Sequence, residues 1–96
     1  MKIFLSGPIT DCPDYKKKFN DAEEYLKSQG YLVMNPAILP VGFHYNDYMR
    51  ICLEMLYACD MICLLPGWEQ SKGAKIEYQH AKATHKGIIK FKGVAE

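Results

Sequence analysis

The run Met61-Ile62-Cys63-Leu64-Leu65 is apolar at every position and stops at Pro66-Gly67. A strand without a polar face has to be covered on both sides, which is the condition of a strand inside a parallel sheet flanked by helices. Its neighbours in sequence fit that setting. Lys2 to Ser6 is another short apolar run, ended by Gly7-Pro8. Tyr31 to Met34 is a third, broken by Asn35-Pro36, because a residue that precedes proline is pushed out of helical geometry. Ile88 to Phe91 supply a fourth.

Helical periodicity fills the gaps between these runs. Tyr15, Phe19, Ala22 and Leu26 recur at spacings of four, three and four, so one face of that helix is apolar. Pro13, after Asp11 or Cys12, suits the first helical position, and Gly30 ends the helix. After a loop from Ala37 to about His44, the residues Tyr48, Ile51 or Cys52, Met55 and Cys59 mark a second helix from Tyr45. Met49, Leu53 and Leu56 lie off that stripe and are expected to cover a partner copy. A third helix starts near Ser71 and runs to about His85, where Gly87 closes it. Strand and helix three times over, then a strand, predict right-handed crossovers and a four-stranded parallel sheet with helices on both faces, an α/β fold. Ligands of such sheets bind outside the carboxyl ends of the strands. The loops that matter are Ser6 to Asp11, Asn35 to His44 and Pro66 to Gly73.

Size and composition narrow the function. A chain of 96 residues is expected to be one domain, 1–96, and to hide only about 60–65% of its unfolded surface, so a homodimer or higher homo-oligomer is expected. With 49% apolar and 24% charged residues it has an ordinary globular composition, and no apolar run nears the roughly 18 residues of a membrane helix. The opening stretch Met1 to Leu5 is too short for a signal-peptide core, so a cytoplasmic protein without a membrane partner is expected. A net charge of +1, with Lys16-Lys17-Lys18 as the one basic run, argues against a surface built for a nucleic-acid polymer. That run reads as a solvated helix face. Cys12, Cys52, Cys59 and Cys63 form no C-x-x-C pair and read as reduced thiols, mostly buried, with no metal site expected.

Candidate chemistry gathers in two of the loops. Gly7, where the first strand stops, lets a ligand approach bare backbone, although a tight turn explains it equally well. Trp68 can stack on a base or sugar face, or act as a hydrophobic plug over the sheet end. Ser71 suits the N-cap of a helix whose free N–H groups favour an anion. Glu77 leans back over Gly73, which has no side chain, so its carboxylate is expected to face open space near the positive end of its helix. A nucleophile there has to be ionised, with a pKa at or below about 4.3, whereas a raised value would mark a site without nucleophilic function. Asp60 reads as a helix-terminating residue, and His44 and His80 are weaker acid–base candidates.

The set Ser6-Gly7-Pro8-Ile9-Thr10, Asn35-Pro36, Cys59-Asp60, Leu64 to Glu69, Ser71, Gly73-Ala74 and Glu77 resembles the DUF4406 family over nearly the whole chain. That family looks like a compact branch of the nucleoside 2-deoxyribosyltransferases and deoxynucleoside monophosphate N-glycosidases. The resemblance implies a Rossmann-like, flavodoxin-like three-layer sandwich and a nucleoside or nucleotide substrate, with no cofactor. It implies Glu77 as the nucleophile that attacks the anomeric carbon, with Gly7, Pro8 and Ile9 lining the sugar or phosphate pocket and Ser71 holding a phosphate. Ser6, Trp68 and Gly73 complete the expected substrate site. Two positions depart from the pattern. Phe4 stands where the enzymes have a tyrosine that orients the nucleophile, and Cys52 where they have an aspartate that serves the leaving base. Cleavage or transfer of an N-glycosidic bond is therefore the first expectation, a non-catalytic nucleotide-binding module the second, and a structural or protein-binding domain the third.

Overall fold

The structure, a computed structural model, describes residues 1–92. Strands β1 (Lys2–Ser6), β2 (Leu32–Met34), β3 (Met61–Leu64) and β4 (Gly87–Lys90) alternate with helices α1 (Tyr15–Ser28), α2 (Tyr45–Tyr57) and α3 (Lys72–Ala83). Short 3-10 turns occupy Pro36–Ile38 and Trp68–Gln70. All strand pairs are parallel and the order across the sheet is β2-β1-β3-β4. The expected α/β class, a parallel sheet between helical layers, is the observed one. Among the described residues, no helix is long and apolar enough to cross a membrane.

Handedness places the layers. From β1 the chain steps one way along the sheet to β2, whereas the crossovers from β2 to β3 and from β3 to β4 step the other way. Right-handed crossovers in opposite directions lie on opposite faces. So α1 covers one face, and α2 and α3 together cover the other, in contact with each other. Strand alternation divides the core to match. Ile3, Leu5, Cys63 and Leu65 meet Phe19, Ala22 and Leu26 of α1. Phe4, Ile62 and Leu64 meet Cys52 and Leu56 of α2 and Ala81 of α3.

Three boundaries differ from the sequence reading. Helix α1 begins at Tyr15 rather than Pro13, because the chain first turns at Ile9 to Cys12, with Asp11 left-handed at φ 60°. Helix α3 ends at Ala83 and His85, at φ 58°, makes the reversal expected of Gly87. Gly87 instead lies in β4, where a Cβ would come 3.1 Å from Met61 Cγ. Leu56, expected on a partner-facing surface, is fully buried in the core. The expected stripe of Cys52, Met55 and Cys59 does meet the core, and the buried face is wider than that stripe, taking in Leu56 as well. Tyr45, Ile51 and Tyr57 are the exposed large apolar residues of α2.

Asn35 fastens the end of β2. Its Nδ2 donates to Asn20 Oδ1 at 3.1 Å and Glu23 Oε1 at 2.8 Å, and its Oδ1 accepts from the Ala37 N–H at 2.9 Å. The loop that follows is thereby tied to α1, and it forms one wall of the site described next.

Candidate functional site

The order of the sheet reverses between β1 and β3, since the chain leaves their carboxyl ends toward opposite faces. The two departing loops leave a crevice between them. A cavity of about 630 Å³ opens there, lined by Ser6 to Asp11, by Gln70 to Ala74 with Glu77, by Leu39 to Val41, and by Tyr45, Met49 and Cys52 of α2. That volume lies within the range of small-molecule sites. The structure therefore brings Ser6, Gly7, Pro8, Ile9, Ser71, Gly73 and Glu77 to one place.

Glu77 is buried, 6% exposed, on the inner face of α3. The Ser6 hydroxyl, 1% exposed, donates to Glu77 Oε1 at 2.5 Å. Ser6 shares strand parity with Phe4, and both point toward the α2 and α3 layer. Phe4 is sealed in the core, whereas Ser6, one pleat further along at the end of the strand, reaches Glu77. The sequence reading placed Ser6 in the substrate loop and missed this bond. Its period-two relation to Phe4 was the available signal.

The expected low pKa of Glu77 is not what the site produces. Burial pushes the carboxyl up to about 7, against the Ser6 hydrogen bond that favours the charged form. Two physical reasons account for it. Glu77 sits beyond the first turn of α3, where the helix dipole has faded. The space over Gly73 is also not open. A Cβ there would meet Met49 Sδ at 3.2 Å and the Tyr45 hydroxyl at 3.7 Å, so α2 packs where solvent was expected. The glycine serves helix approach.

The neighbouring groups feel the same environment. Burial, with the charge of Glu77 adding to it, pushes the Cys52 thiol up to about 12 and raises the Tyr45 phenol. Lys72 holds its ammonium 5.7 Å from the centre of the Tyr45 ring. At Gly7 a Cβ would lie 2.8 Å from Leu65 Cβ, so any side chain there would force the β1 and β3 ends apart. Ser71 caps α3, its Oγ accepting the Ala74 N–H at 3.2 Å.

Trp68 lies outside the cavity. It packs on Tyr78, with ring centres 4.8 Å apart, against the α2 and α3 side of the core. The base-stacking role suggested for it has no support in this placement, and it plugs the sheet end. His80 bonds the Tyr57 hydroxyl through Nδ1 between α2 and α3, and His44 precedes α2, its N–H donating to Asp47 at 3.2 Å. Asp60 accepts from the Lys2 N–H at 3.0 Å, at the amino end of the sheet. The four cysteines are free thiols. Among the described residues, no three His, Cys, Asp or Glu side chains gather to hold a metal ion.

The sheet ordered β2-β1-β3-β4, with helices on both faces, has counterparts among solved structures. The structure is similar to a 2-desoxiribosyltransferase from Leishmania mexicana, with a TM-score of 0.73 and 21% identity over 94% of this chain and 63% of that one. It is also similar to the Clostridium botulinum CMP N-glycosidase BcmB, with a TM-score of 0.67 and 26% identity over 94% of this chain and 67% of that one. The chain thus spans about two thirds of the length of each. A search of curated proteins found no sequence match. By sequence the chain belongs to the family described as "Domain of unknown function (DUF4406)", which it matches over residues 1–90.

Proposed function

We propose that this protein cleaves or transfers the N-glycosidic bond of a nucleoside or nucleotide, with Glu77 forming a covalent glycosyl ester. The observation that carries the proposal is the Glu77 carboxylate, buried, hydrogen-bonded by Ser6 and set in the wall of a cavity of small-molecule size at the switch point of the sheet. The activities for which the two similar proteins are named support it. One carboxylate oxygen attacks the anomeric carbon, and the C–N bond breaks with its electron pair leaving on the base. Water or a second base then attacks the same carbon and frees the carboxylate. The loop from Ser6 to Ile9, with Ser71 and Gly73, forms the cradle for sugar and phosphate. A pKa of about 7 leaves roughly half of the molecules with an ionised nucleophile at neutral pH. A cytoplasmic homo-oligomer is part of the same proposal, to be checked by sedimentation at micromolar concentration.

A non-catalytic nucleotide-binding module on the same fold is the second reading. The raised Glu77 pKa and the apolar Phe4 and Cys52 at positions that are polar in the enzymes favour it. Incubation with a panel of nucleosides and 5′-monophosphates, with free base measured by chromatography, separates the two. Base release that disappears in Glu77→Gln, and a sugar adduct on the Glu77 peptide by mass spectrometry, are expected. Full release by Glu77→Gln would remove Glu77 from the chemistry, and binding without release across the panel would establish the module.

A further inference from the structure

A glycosidic bond to a neutral base breaks easily only if the departing base receives a proton. The cavity is poor in groups that can give one. The Tyr48 hydroxyl is engaged, donating to the Pro40 carbonyl at 2.5 Å and accepting from the Phe43 N–H at 3.1 Å. The Cys52 thiol, pushed up to about 12, and the Tyr45 phenol, also raised, hold their protons more tightly than the free side chains do. Asp11 lies at the exposed rim, so among the described lining residues no second carboxylic acid is buried beside Glu77.

The cavity is also short of positive charge where the nucleophile sits. Burial dominates the ionisation of Glu77 and the Ser6 hydroxyl is what opposes it, with no cation contributing. Lys72 is exposed, and its ammonium rests on the outer aromatic wall, against the Tyr45 ring. That contact shows a ring face of this wall accepting a cation. Tyr15, half-buried, adds further aromatic surface to the lining.

We propose that the site is built for N-glycosides whose base carries a fixed positive charge, such as an N-ribosylpyridinium. This rests on the glycosidic function proposed above and specifies its substrate class. The base needs no proton in order to leave. Glu77 Oε bonds to the anomeric carbon, the C–N electron pair moves onto the ring nitrogen and cancels its charge, and the base departs neutral. Water then attacks the anomeric carbon, the C–O bond to Glu77 breaks, and one proton passes to solvent. Before the reaction the cationic ring is the counter-charge that the buried carboxylate lacks, and the aromatic wall faces it.

Two measurements on the full chain test this. N-ribosylnicotinamide is compared with adenosine, guanosine, cytidine and uridine, each rate divided by the spontaneous rate of the same compound. The cationic glycoside is expected to exceed every neutral one at least about tenfold in that corrected rate, because the division removes the intrinsic ease of losing a cationic base and leaves the charge complementarity of the site. Equal or better corrected rates for a neutral nucleoside would overturn the proposal and leave the glycosidic function standing. Calorimetric titration at pH 8 then compares 1-methylnicotinamide, a cation without a scissile bond, with nicotinamide. The cation is expected to bind at least about tenfold more tightly, an advantage lost in Glu77→Gln. Equal binding of the two would refute charge recognition. Preference for the cation without cleavage of any glycoside would overturn the glycosidic function and uphold the cation site.

Discussion

Replacing Glu77 by glutamine should stabilise the protein above neutral pH. The amide keeps the shape of the side chain, and its oxygen can still accept the Ser6 hydroxyl proton. What it removes is the cost of a buried charge. Glu77 has its carboxyl raised from 4.5 to about 7, chiefly by burial. The folded state therefore binds this proton more tightly than the unfolded chain does. The resulting stability is present in full below pH 4.5 and is lost as the pH rises through 7. At about 1.4 kcal/mol per pKa unit, the loss approaches about 3 kcal/mol by pH 8. Glutamine does not titrate, so its stability should lack this decline. For a domain of this size each kcal/mol moves Tm by about 4–8 °C, so Glu77→Gln should melt roughly 12–24 °C above the wild type at pH 8 and close to it at pH 4. Thermal melts followed by circular dichroism from pH 4 to 8.5 at fixed ionic strength provide the assay. A Tm gap that does not change across this range would refute the buried, uncompensated carboxylate.

Three further substitutions probe the same frame. Ser6→Ala removes the bond that favours the charged form of Glu77, so the inflection of the pH profile for base release should move upward by about 1 unit, with activity reduced several-fold at pH 7 and recovered near pH 9. An unmoved inflection would mean that Ser6 does not tune the nucleophile. Gly7→Ala places a Cβ 2.8 Å from Leu65 Cβ and should cost about 1–3 kcal/mol in urea unfolding, so wild-type stability would disprove the close approach of β1 and β3. Trp68→Ala should lower stability by about 2–4 kcal/mol while leaving ligand affinity within about twofold, because the indole packs on Tyr78 outside the cavity. A large affinity loss in a folded Trp68→Ala protein would put Trp68 back in the site.

Most of the architecture was legible in local patterns. The unbroken apolar run of β3 demands cover on both faces, and the spacing of Phe19, Ala22 and Leu26 commits α1 to one buried side. Backbone geometry alone imposes these, since side chains alternate along a strand and recur every three to four residues along a helix. The meeting of the loops after β1 and β3 with the start of α3 followed from the parallel order.

What surrounds Glu77 could be decided only by the folded chain. Its pKa depends on Met49 and Tyr45 closing over Gly73, and those residues come from a helix more than twenty positions away in sequence. The same distance hid the Ser6 bond, which joins residues 71 apart. Leu56 was misjudged for a related reason, and of the two roles open to Trp68 the packing favours the plug. Periodicity shows that a residue belongs to an apolar face, but the crossover direction and the rotation of the helix choose what that face meets. A carboxylate's ionisation is set by everything within a few ångströms of it, and only tertiary packing brings those groups together.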